Sequence, residues 1–256
     1  MSRVGQRLRR GGYLLPSAFT VGNILLGFYA IVRGFRGDFA AAALMIFAAG
    51  VLDSMDGRIA RATGTESEFG REYDSLADVL TFGAAPAWLA YFWQLRFLGR
   101  IGWIIPLFFV VCAATRLARF NVQTKVVDSR YFVGLPVPAA ASTLCAYLLF
   151  QPYPPASPYP AVAMSAALLV LGVLMVSTFR YPSFKKVDVR QRWSYRFVLP
   201  LAAVVLVVAY HPPIFLLAIT LTYALAGPYG WLDGRLRRRT PAPHAGTPPP
   251  TGPTET

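Results

Sequence analysis

Long apolar runs fill most of this chain, and short polar or basic segments separate them. A helix needs about 20 apolar residues to cross the hydrocarbon layer of a membrane, because each residue advances it by about 1.5 Å. By this criterion the pattern predicts eight spans, at residues 13–33, 39–60, 75–95, 101–120, 135–151, 158–180, 195–210 and 212–229. The predicted fold class is therefore all-α, a polytopic integral membrane bundle of about eight transmembrane helices.

Two polar segments flank the predicted membrane domain, which covers residues 13–230. Residues 1–12 carry four arginines and predict a basic cytoplasmic N-terminus. Residues 231–256 begin basic and continue with proline and threonine, so we expect a disordered cytoplasmic tail that buries too little apolar surface to fold. The first span follows arginines, as the apolar part of a signal peptide does. Its length and the lack of a small-residue cleavage site predict that it is retained.

The composition, 55% hydrophobic residues, is typical of a polytopic membrane protein, and the net charge of +13 reflects membrane topology. If the N-terminus is cytoplasmic, 21 of the 25 Lys and Arg residues fall on the cytoplasmic side of the eight spans. Cytoplasmic loops of membrane proteins are enriched in these residues. We therefore expect both termini in the cytoplasm, membrane lipids as partners and no nucleic acid.

Two pairs of aspartates stand at the ends of the second and third apolar runs. Asp53 and Asp56 are three residues apart, and Asp74 and Asp78 are four apart, so each pair shares one face of a helix. Carboxylates at a membrane boundary are costly, and 7 of the chain's 12 acidic residues fall within 53–78. This concentration favours a functional site over a solvated helix face, and the topology places the site at the cytoplasmic boundary.

The aspartates belong to the longer pattern D-x2-D-G-x2-A-R-x8-G-x3-D-x3-D. The turn residues Thr63-Gly64-Thr65 let the chain reverse, so the two pairs can face each other across antiparallel helices. Four carboxylates placed together would repel unless they bind cations or some stay protonated. Two Mg²⁺ or Mn²⁺ ions are the expected occupants, and they would bridge and polarise a pyrophosphate. One aspartate could act as general base toward an incoming hydroxyl.

The remaining positions of this pattern suit a bulky nucleotide. Gly57 and Ala60 leave space beside the helix backbone, and Gly70 lets the loop pass close. Arg61 supplies a planar fork of donors for a phosphate.

At these residues the sequence resembles the CDP-alcohol phosphotransferase family, whose signature the pattern matches at every position. The resemblance implies an integral membrane enzyme that transfers a phosphoalcohol group from a CDP-linked donor to an acceptor hydroxyl and releases CMP. It further implies a conserved six-helix core, a homodimer, and two metal ions held by the four aspartates, with Asp78 also acting as base. The residues assigned to the CDP-linked donor are Asn23, Gly57, Ala60, Arg61, Gly70 and Ser75.

Further stretches are similar to the bacterial and archaeal branch of this family that uses CDP-diacylglycerol as donor and L-serine as acceptor. They lie at 15–16, 20–23, 67–70, 73–78, 116–121, 134–140 and 180–185. One departure is Ser17, where the branch leads us to expect Asn, and it leaves Asn23 and Thr20 as the first-span candidates for holding the nucleotide. The expected location is a prokaryotic cytoplasmic membrane.

Serine brings a carboxylate and an ammonium group, so its pocket needs a fixed cation and a polar partner. The candidates are Arg116, Arg119, Asn121 and Lys185. Glycerol 3-phosphate is the alternative acceptor, because such an enzyme would share all the aspartate-pattern positions. A cation transporter and an inactive membrane scaffold are alternatives of other classes. Carboxylates confined to one boundary on two helices disfavour the transporter, and four intact aspartates disfavour the scaffold.

Overall fold

A computed structural model describes residues 14–64, 67–123, 131–182 and 210–237, and the structural statements below refer to these ranges. The α-helices are α1 Leu14–Phe35, α2 Phe39–Thr63, α3 Glu68–Asp78, α4 Ala85–Trp93, α5 Arg100–Gln123, α6 Val137–Phe150, α7 Tyr159–Val176 and α8 Pro212–Arg237. A π-helical turn, Val79–Ala84, joins α3 to α4, and a 3₁₀ turn, Leu95–Leu98, precedes α5. Two short strands, β1 Tyr131–Val133 and β2 Arg180–Pro182, follow α5 and α7.

The described helices confirm an all-α polytopic membrane protein. Five of them are long and apolar enough to cross a membrane, and α6 is a shorter apolar helix. Helices occupy seven of the eight predicted spans, whereas the span at 195–210 lies almost wholly outside the described residues. The count of eight and the division into 1–12, 13–230 and 231–256 therefore stay predictions.

The sequence did not predict a strand, yet β1 and β2 pair antiparallel, with Phe132 opposite Tyr181. The two segments leave α5 and α7 at the same end of the bundle. Backbone groups outside a helix still need hydrogen-bond partners, and the ribbon supplies them. The ribbon therefore ties the segment before α6 to the segment after α7.

The third span is one helical rod, α3–π–α4, that changes its winding directly after Asp78. Pro86 follows the π turn, and a proline inside a helix lacks the N–H for the bond to residue i−4 and crowds that carbonyl. A wider turn relieves this conflict, and single π turns are frequent at functional sites. Within the turn, the Thr81 hydroxyl donates to the Asn23 carbonyl at 3.1 Å.

Small residues let α1 pack directly against this rod. A Cβ at Gly27 would lie 2.5 Å from the Thr81 Oγ1, and one at Gly34 would lie 2.1 Å from a Leu89 methyl. Such close approaches between membrane helices require glycine. The core around them is built from fully buried side chains that include Phe82, Leu89, Trp93, Phe109, Leu135, Leu144, Leu148 and Leu168.

The two ends of the bundle carry different polar groups. We call the end with Asp53, Asp56, Asp74 and Asp78 the aspartate end. The opposite end, called the far end, comprises residues 33–38, 93–99 and 151–158. There the Trp93 indole N–H donates to the Gln151 carbonyl at 3.1 Å, and the Gln94 amide donates to two carbonyls of the proline-rich loop.

Candidate active site

The structure brings the two aspartate pairs together as the sequence predicts. One carboxylate oxygen each of Asp53, Asp56 and Asp74 lies within 4.8 Å of the others. Asp78, one helical turn after Asp74, lies within hydrogen-bond reach of Asp53. The first pair is near the C-terminal end of α2 and the second on α3, so the reversal between these helices builds the cluster.

Local sequence explains where this reversal begins and ends. Gly64 has φ of +64°, a left-handed conformation that commonly stops a helix and that glycine adopts without strain. Ser67 then caps α3, because its hydroxyl oxygen accepts the Gly70 N–H at 2.9 Å. A Cβ at Gly70 would lie 3.0 Å from that oxygen. Gly70 thus has a defined place in the first turn of α3. Its expected contact with the CDP-linked substrate stays a prediction.

Two of the four aspartates are buried and the other two are partly buried. Asp56 is 5% exposed and Asp78 is 9% exposed. Asp74 and Asp78 each leave one buried carboxylate oxygen without a hydrogen-bond partner. Burial, followed by the nearby Asp53 and Asp56 charges, raises the pKa of Asp74, just before the third span, to about 7. A divalent cation would remove this repulsion and fill the open oxygens, and an all-carboxylate donor set suits Mg²⁺ or Mn²⁺.

Asn23, a candidate for holding the donor, sits on α1 next to this cluster. Its side chain is fully buried, and among the described residues neither its amide nitrogen nor its amide oxygen has a hydrogen-bond partner. Its carbonyl receives the bond from Thr81, three residues after Asp78. An unsatisfied buried amide costs about 1–3 kcal/mol, so a ligand that pairs with it would recover that cost. The alternative candidate Thr20 is also buried, at 5% exposure.

The other residues predicted to bind the CDP-linked donor lie on α2 and α3, the two helices that carry the aspartates. Gly57 follows Asp56 on α2 and is partly buried. Ala60 and Arg61 lie in the last turns of α2, but their side chains are outside the described part of the structure. Ser75 follows Asp74, and its hydroxyl donates to the Arg71 carbonyl at 3.0 Å.

Asn121 and Arg116 bring α5 to the same site. The Asn121 amide donates to the Ser75 hydroxyl at 2.9 Å and to Glu72 at 3.2 Å. Arg116 is 6% exposed, and its Nε lacks a hydrogen-bond partner. Its guanidinium carbon lies 5.4 Å from the Phe120 ring centre and interacts electrostatically with Asp78. Arg116 is therefore a buried cation whose charge acts on the carboxylate that is expected to be the base.

Arg119 and Lys185 stand apart from the other acceptor candidates. Arg119 donates to four backbone carbonyls, at distances of 2.8–3.3 Å, and these belong to Val133, Met175, Val176 and Ser177. These bonds cap the end of α7 and give Arg119 a structural role, and its predicted acceptor contact stays a prediction. Lys185 lies outside the described residues, so its role stays a prediction.

Sequence reasoning missed two tyrosines that close this end of the bundle. Tyr181 is fully buried, and its ring lies 5.7 Å from that of Tyr223 on α8. Tyr223 interacts electrostatically with Arg116. Tyr181 belongs to the stretch 180–185 that carries the family resemblance, but its own role was not predicted; Tyr223 stands in an ordinary apolar pattern with no local signal.

The chain matches a known family over much of its length. Residues 13–178 match the profile of the family described as CDP-alcohol phosphatidyltransferase. Similar proteins named CDP-diacylglycerol–serine O-phosphatidyltransferase occur in Helicobacter pylori strain 26695, Bacillus subtilis and Methanocaldococcus jannaschii. The first is 40% identical over 86% of this chain and 92% of its own length. The second is 36% identical over 67% and 92%, and the third is 32% identical over 84% and 92%.

Proposed function

The chain belongs to the CDP-alcohol phosphatidyltransferase family, and from this premise we propose that it transfers the phosphatidyl group of CDP-diacylglycerol to the hydroxyl of L-serine and releases CMP. The relatives named above carry that activity in their names and align with most of this chain. The observation that carries the proposal is the set of carboxylate oxygens within 4.8 Å of one another at the end of two membrane helices.

The four aspartates would hold two divalent cations, Mg²⁺ or Mn²⁺. These ions supply charge neutralisation on the diphosphate and on the departing CMP. The fit rests on the buried carboxylate oxygens of Asp74 and Asp78 that have no partner within the described chain. Asp78 is the deepest residue of the α3 pair and is the expected general base.

The reaction is a direct displacement. Asp78 accepts the proton of the serine hydroxyl, and the hydroxyl oxygen bonds to the phosphorus that carries diacylglycerol. The bond from that phosphorus to the bridging oxygen breaks, and CMP leaves with the oxygen. Holding both substrates against the aspartates supplies much of the acceleration, because an oriented pair of reactants reacts as one molecule.

The donor would bind between α1 and the α2–α3 reversal. Asn23 offers an amide that is unpaired among the described residues, and the small residues Gly57 and Ala60 would leave room for the nucleotide along α2. Arg61 would pair with a phosphate, while Gly70 and Ser75 line the start of α3. The acyl chains would stay in the lipid beside the bundle.

The acceptor would bind on the α5 side of the aspartates. Arg116 is a buried cation near Asp78 and suits the serine carboxylate. Asn121 already bonds to Ser75, so it lies at the boundary between donor and acceptor. This arrangement would place the serine hydroxyl between Arg116 and the donor phosphorus.

The proposal also covers the membrane orientation and the oligomeric state of the enzyme. The excess of Lys and Arg in alternate loops supports a site that opens to the cytoplasm of a prokaryotic cell. Water-soluble serine would then enter from the cytoplasm, and the lipid donor would enter sideways from the membrane. A homodimer is carried over from the family resemblance.

The test is CMP release by the full-length chain in detergent micelles with CDP-diacylglycerol and Mn²⁺ or Mg²⁺. L-serine, glycerol 3-phosphate and myo-inositol are compared as acceptors, and the lipid product is identified by mass spectrometry. We expect release with L-serine alone and phosphatidylserine as product. Release only with glycerol 3-phosphate would keep the aspartate roles and overturn the serine assignment. Release with none of the three would overturn the whole proposal.

A further inference from the structure

The helix α3, which carries half of the aspartate cluster, buries little of its own surface. Its buried residues are Ala77 and Asp78, at its C-terminal end. Two of its large apolar side chains, Phe69 and Leu76, are 76% and 69% exposed. A helix in a folded protein usually takes its position from the burial of an apolar face. The earlier turns of α3, which include Asp74, therefore depend on other interactions for their position.

The two ends of α3 are held in different ways. The C-terminal end continues directly into the π turn, whose residues 81–83 are buried, so Asp78 is fixed by the rod that it belongs to. At the N-terminal end the Ser67 hydroxyl caps the helix and sets where it begins. The helix α1 packs along one side of α3. Asp74 lies one turn before Asp78, so its distance from α2 also depends on what holds the other side of α3.

Asn121, near the end of α5, links this part of α3 to a membrane span. Its amide nitrogen donates to the Ser75 hydroxyl oxygen at 2.9 Å and to the Glu72 carboxylate at 3.2 Å. Glu72 and Ser75 are three residues apart and share a face of α3. The Ser75 hydroxyl in turn donates to the Arg71 carbonyl at 3.0 Å. The hydrogen bonds therefore run from α5 into the backbone of α3.

The link uses the hydrogen-bond donors of Asn121. A primary amide nitrogen carries two N–H groups, and the two acceptors on α3 take both. The amide therefore acts on the neighbour of Ser75, which is Asp74. One carboxylate oxygen of Asp74 lies within 4.8 Å of oxygens of Asp53 and Asp56 on α2. These carboxylates repel one another, and a link from α5 to α3 opposes the separation that the repulsion favours.

We propose that Asn121 is a positioning residue that holds α3 at the distance from α2 at which Asp74 and the aspartates of α2 bind one divalent cation together. Ligands that are already in place bind more tightly, because less chain has to be ordered when the ion arrives. The inference rests on the proposed function, since it concerns the metal site of that function. It makes metal affinity, rather than a direct contact with serine, the property that Asn121 controls.

The first test is Mn²⁺ binding to the full-length Asn121→Leu chain in detergent micelles without substrates, with free Mn²⁺ measured by electron paramagnetic resonance. Leucine has a similar size and cannot donate, so the Kd for Mn²⁺ should rise about tenfold, the scale of one hydrogen bond to a charged group. Thr115→Val is the matched control, because Thr115 is exposed on α5 and its hydroxyl donates to the Val111 carbonyl of the same helix. Equal Kd values in the two variants would overturn the proposal.

A double-mutant cycle assigns the effect to the link between the helices. Ser75→Ala should raise the Kd for Mn²⁺ less than Asn121→Leu does, because Asn121 keeps its bond to Glu72. The double variant should bind Mn²⁺ about as weakly as Asn121→Leu alone, since both changes remove the same bond. If the two increases in Kd multiply fully, Asn121 does not act through Ser75 and the proposal is wrong.

Activity and stability separate positioning from the other roles that Asn121 could have. Serine-dependent CMP release by Asn121→Leu should be low at limiting Mn²⁺ and should recover as Mn²⁺ is raised. A higher KM for serine that excess Mn²⁺ does not correct, with an unchanged Kd for Mn²⁺, would show a direct acceptor contact instead. A lower Tm in metal-free buffer with an unchanged Kd would show a purely structural bond. A wild-type chain that binds Mn²⁺ but releases no CMP with L-serine would refute the proposed function, while the effect of Asn121 on the Kd would still be measurable.

Discussion

The far end and the aspartate end differ in how their charged and amide side chains are paired. At the far end, Arg33 pairs with Asp38, and the Asp38 carboxylate also accepts the Ala41 N–H at 3.1 Å. The Ala41 N–H and the Arg33 guanidinium lower the pKa of Asp38. At the aspartate end, burial and neighbouring carboxylates raise the pKa of Asp74 to about 7.

Amide side chains show the same contrast. The Gln94 amide nitrogen makes two bonds to the loop at the far end and leaves only its oxygen unpaired, whereas the Asn23 amide makes none at either atom. Buried polar groups in folded proteins almost always have partners. At the far end the main polar groups thus find partners within the described chain, although the Gln94 amide oxygen and the Arg33 Nε have none there, while the aspartate end leaves both polar atoms of Asn23 and carboxylate oxygens of Asp74 and Asp78 open for partners that come from outside.

The largest effect should follow removal of divalent cations. Chelation should reduce serine-dependent CMP release to background, and added Mn²⁺ or Mg²⁺ should restore it, because the carboxylates need a cation to bind a diphosphate. The same ions should raise Tm, by an amount equivalent to about 2.7 kcal/mol at 100 times Kd. Since the proton on Asp74 competes below about pH 7, the half-saturating metal concentration should fall as pH rises. A Tm increase that persists in the Asp53→Asn, Asp56→Asn double variant would contradict metal binding at the aspartate end.

Exchanging one carboxylate at each end tests the comparison directly. Asp78→Asn should lower kcat at least about 1,000-fold, because it removes the base and a metal ligand. The folded state should persist, since the amide relieves carboxylate repulsion. Asp38→Asn is the counterpart, and it should lose its ion pair with Arg33 and keep its activity. CMP release and size-exclusion chromatography check both variants, and an active Asp78→Asn chain would refute the assigned role.

Two glycines with similar backbone conformations sharpen the contrast in packing. Gly134 has φ of +79°, and a Cβ there would lie 2.3 Å from the Met175 carbonyl oxygen and 2.8 Å from an Arg119 nitrogen. Gly37 has φ of +84° with no heavy atom within 4 Å of the Cβ position. Gly134→Ala should therefore lower the free energy of unfolding by about 2–4 kcal/mol, and Gly37→Ala by about 1 kcal/mol. Equilibrium unfolding in mixed micelles measures both values, and equal losses would contradict the packing described around Arg119.

The smallest expected effects follow replacement of the two buried amide side chains, Asn23 and Gln94. Asn23→Leu should raise the KM for CDP-diacylglycerol about tenfold with little change in stability, because the amide has no partner within the described chain to lose. Gln94→Leu should do the reverse, with lower stability and an unchanged KM, because it removes two bonds to the loop. Steady-state kinetics and thermal unfolding of both variants decide the matter. A large stability loss in Asn23→Leu would show a structural amide.

Much of the site could be predicted from sequence because helical spacing is local. Asp53 and Asp56 must share a face of α2, and Asp74 and Asp78 must share a face of α3, whatever the rest of the chain does. Arg119 shows the limit of this reasoning. Its predicted acceptor contact stays a prediction, and no local pattern indicated that its guanidinium would donate to four carbonyls of distant segments.

The sequence by itself determined the membrane class, seven predicted spans that described helices occupy, the aspartate pairs and the family. Each of these depends on local periodicity, on total apolar length or on a contiguous motif. Only the tertiary structure decided that Arg116 is buried, that Tyr181 and Gly227 attach α8, and that the Asn23 amide side chain has no hydrogen-bond partner among the described residues. The physical reason is that these properties arise from contacts between helices far apart in sequence, where packing geometry rather than residue type selects the partner.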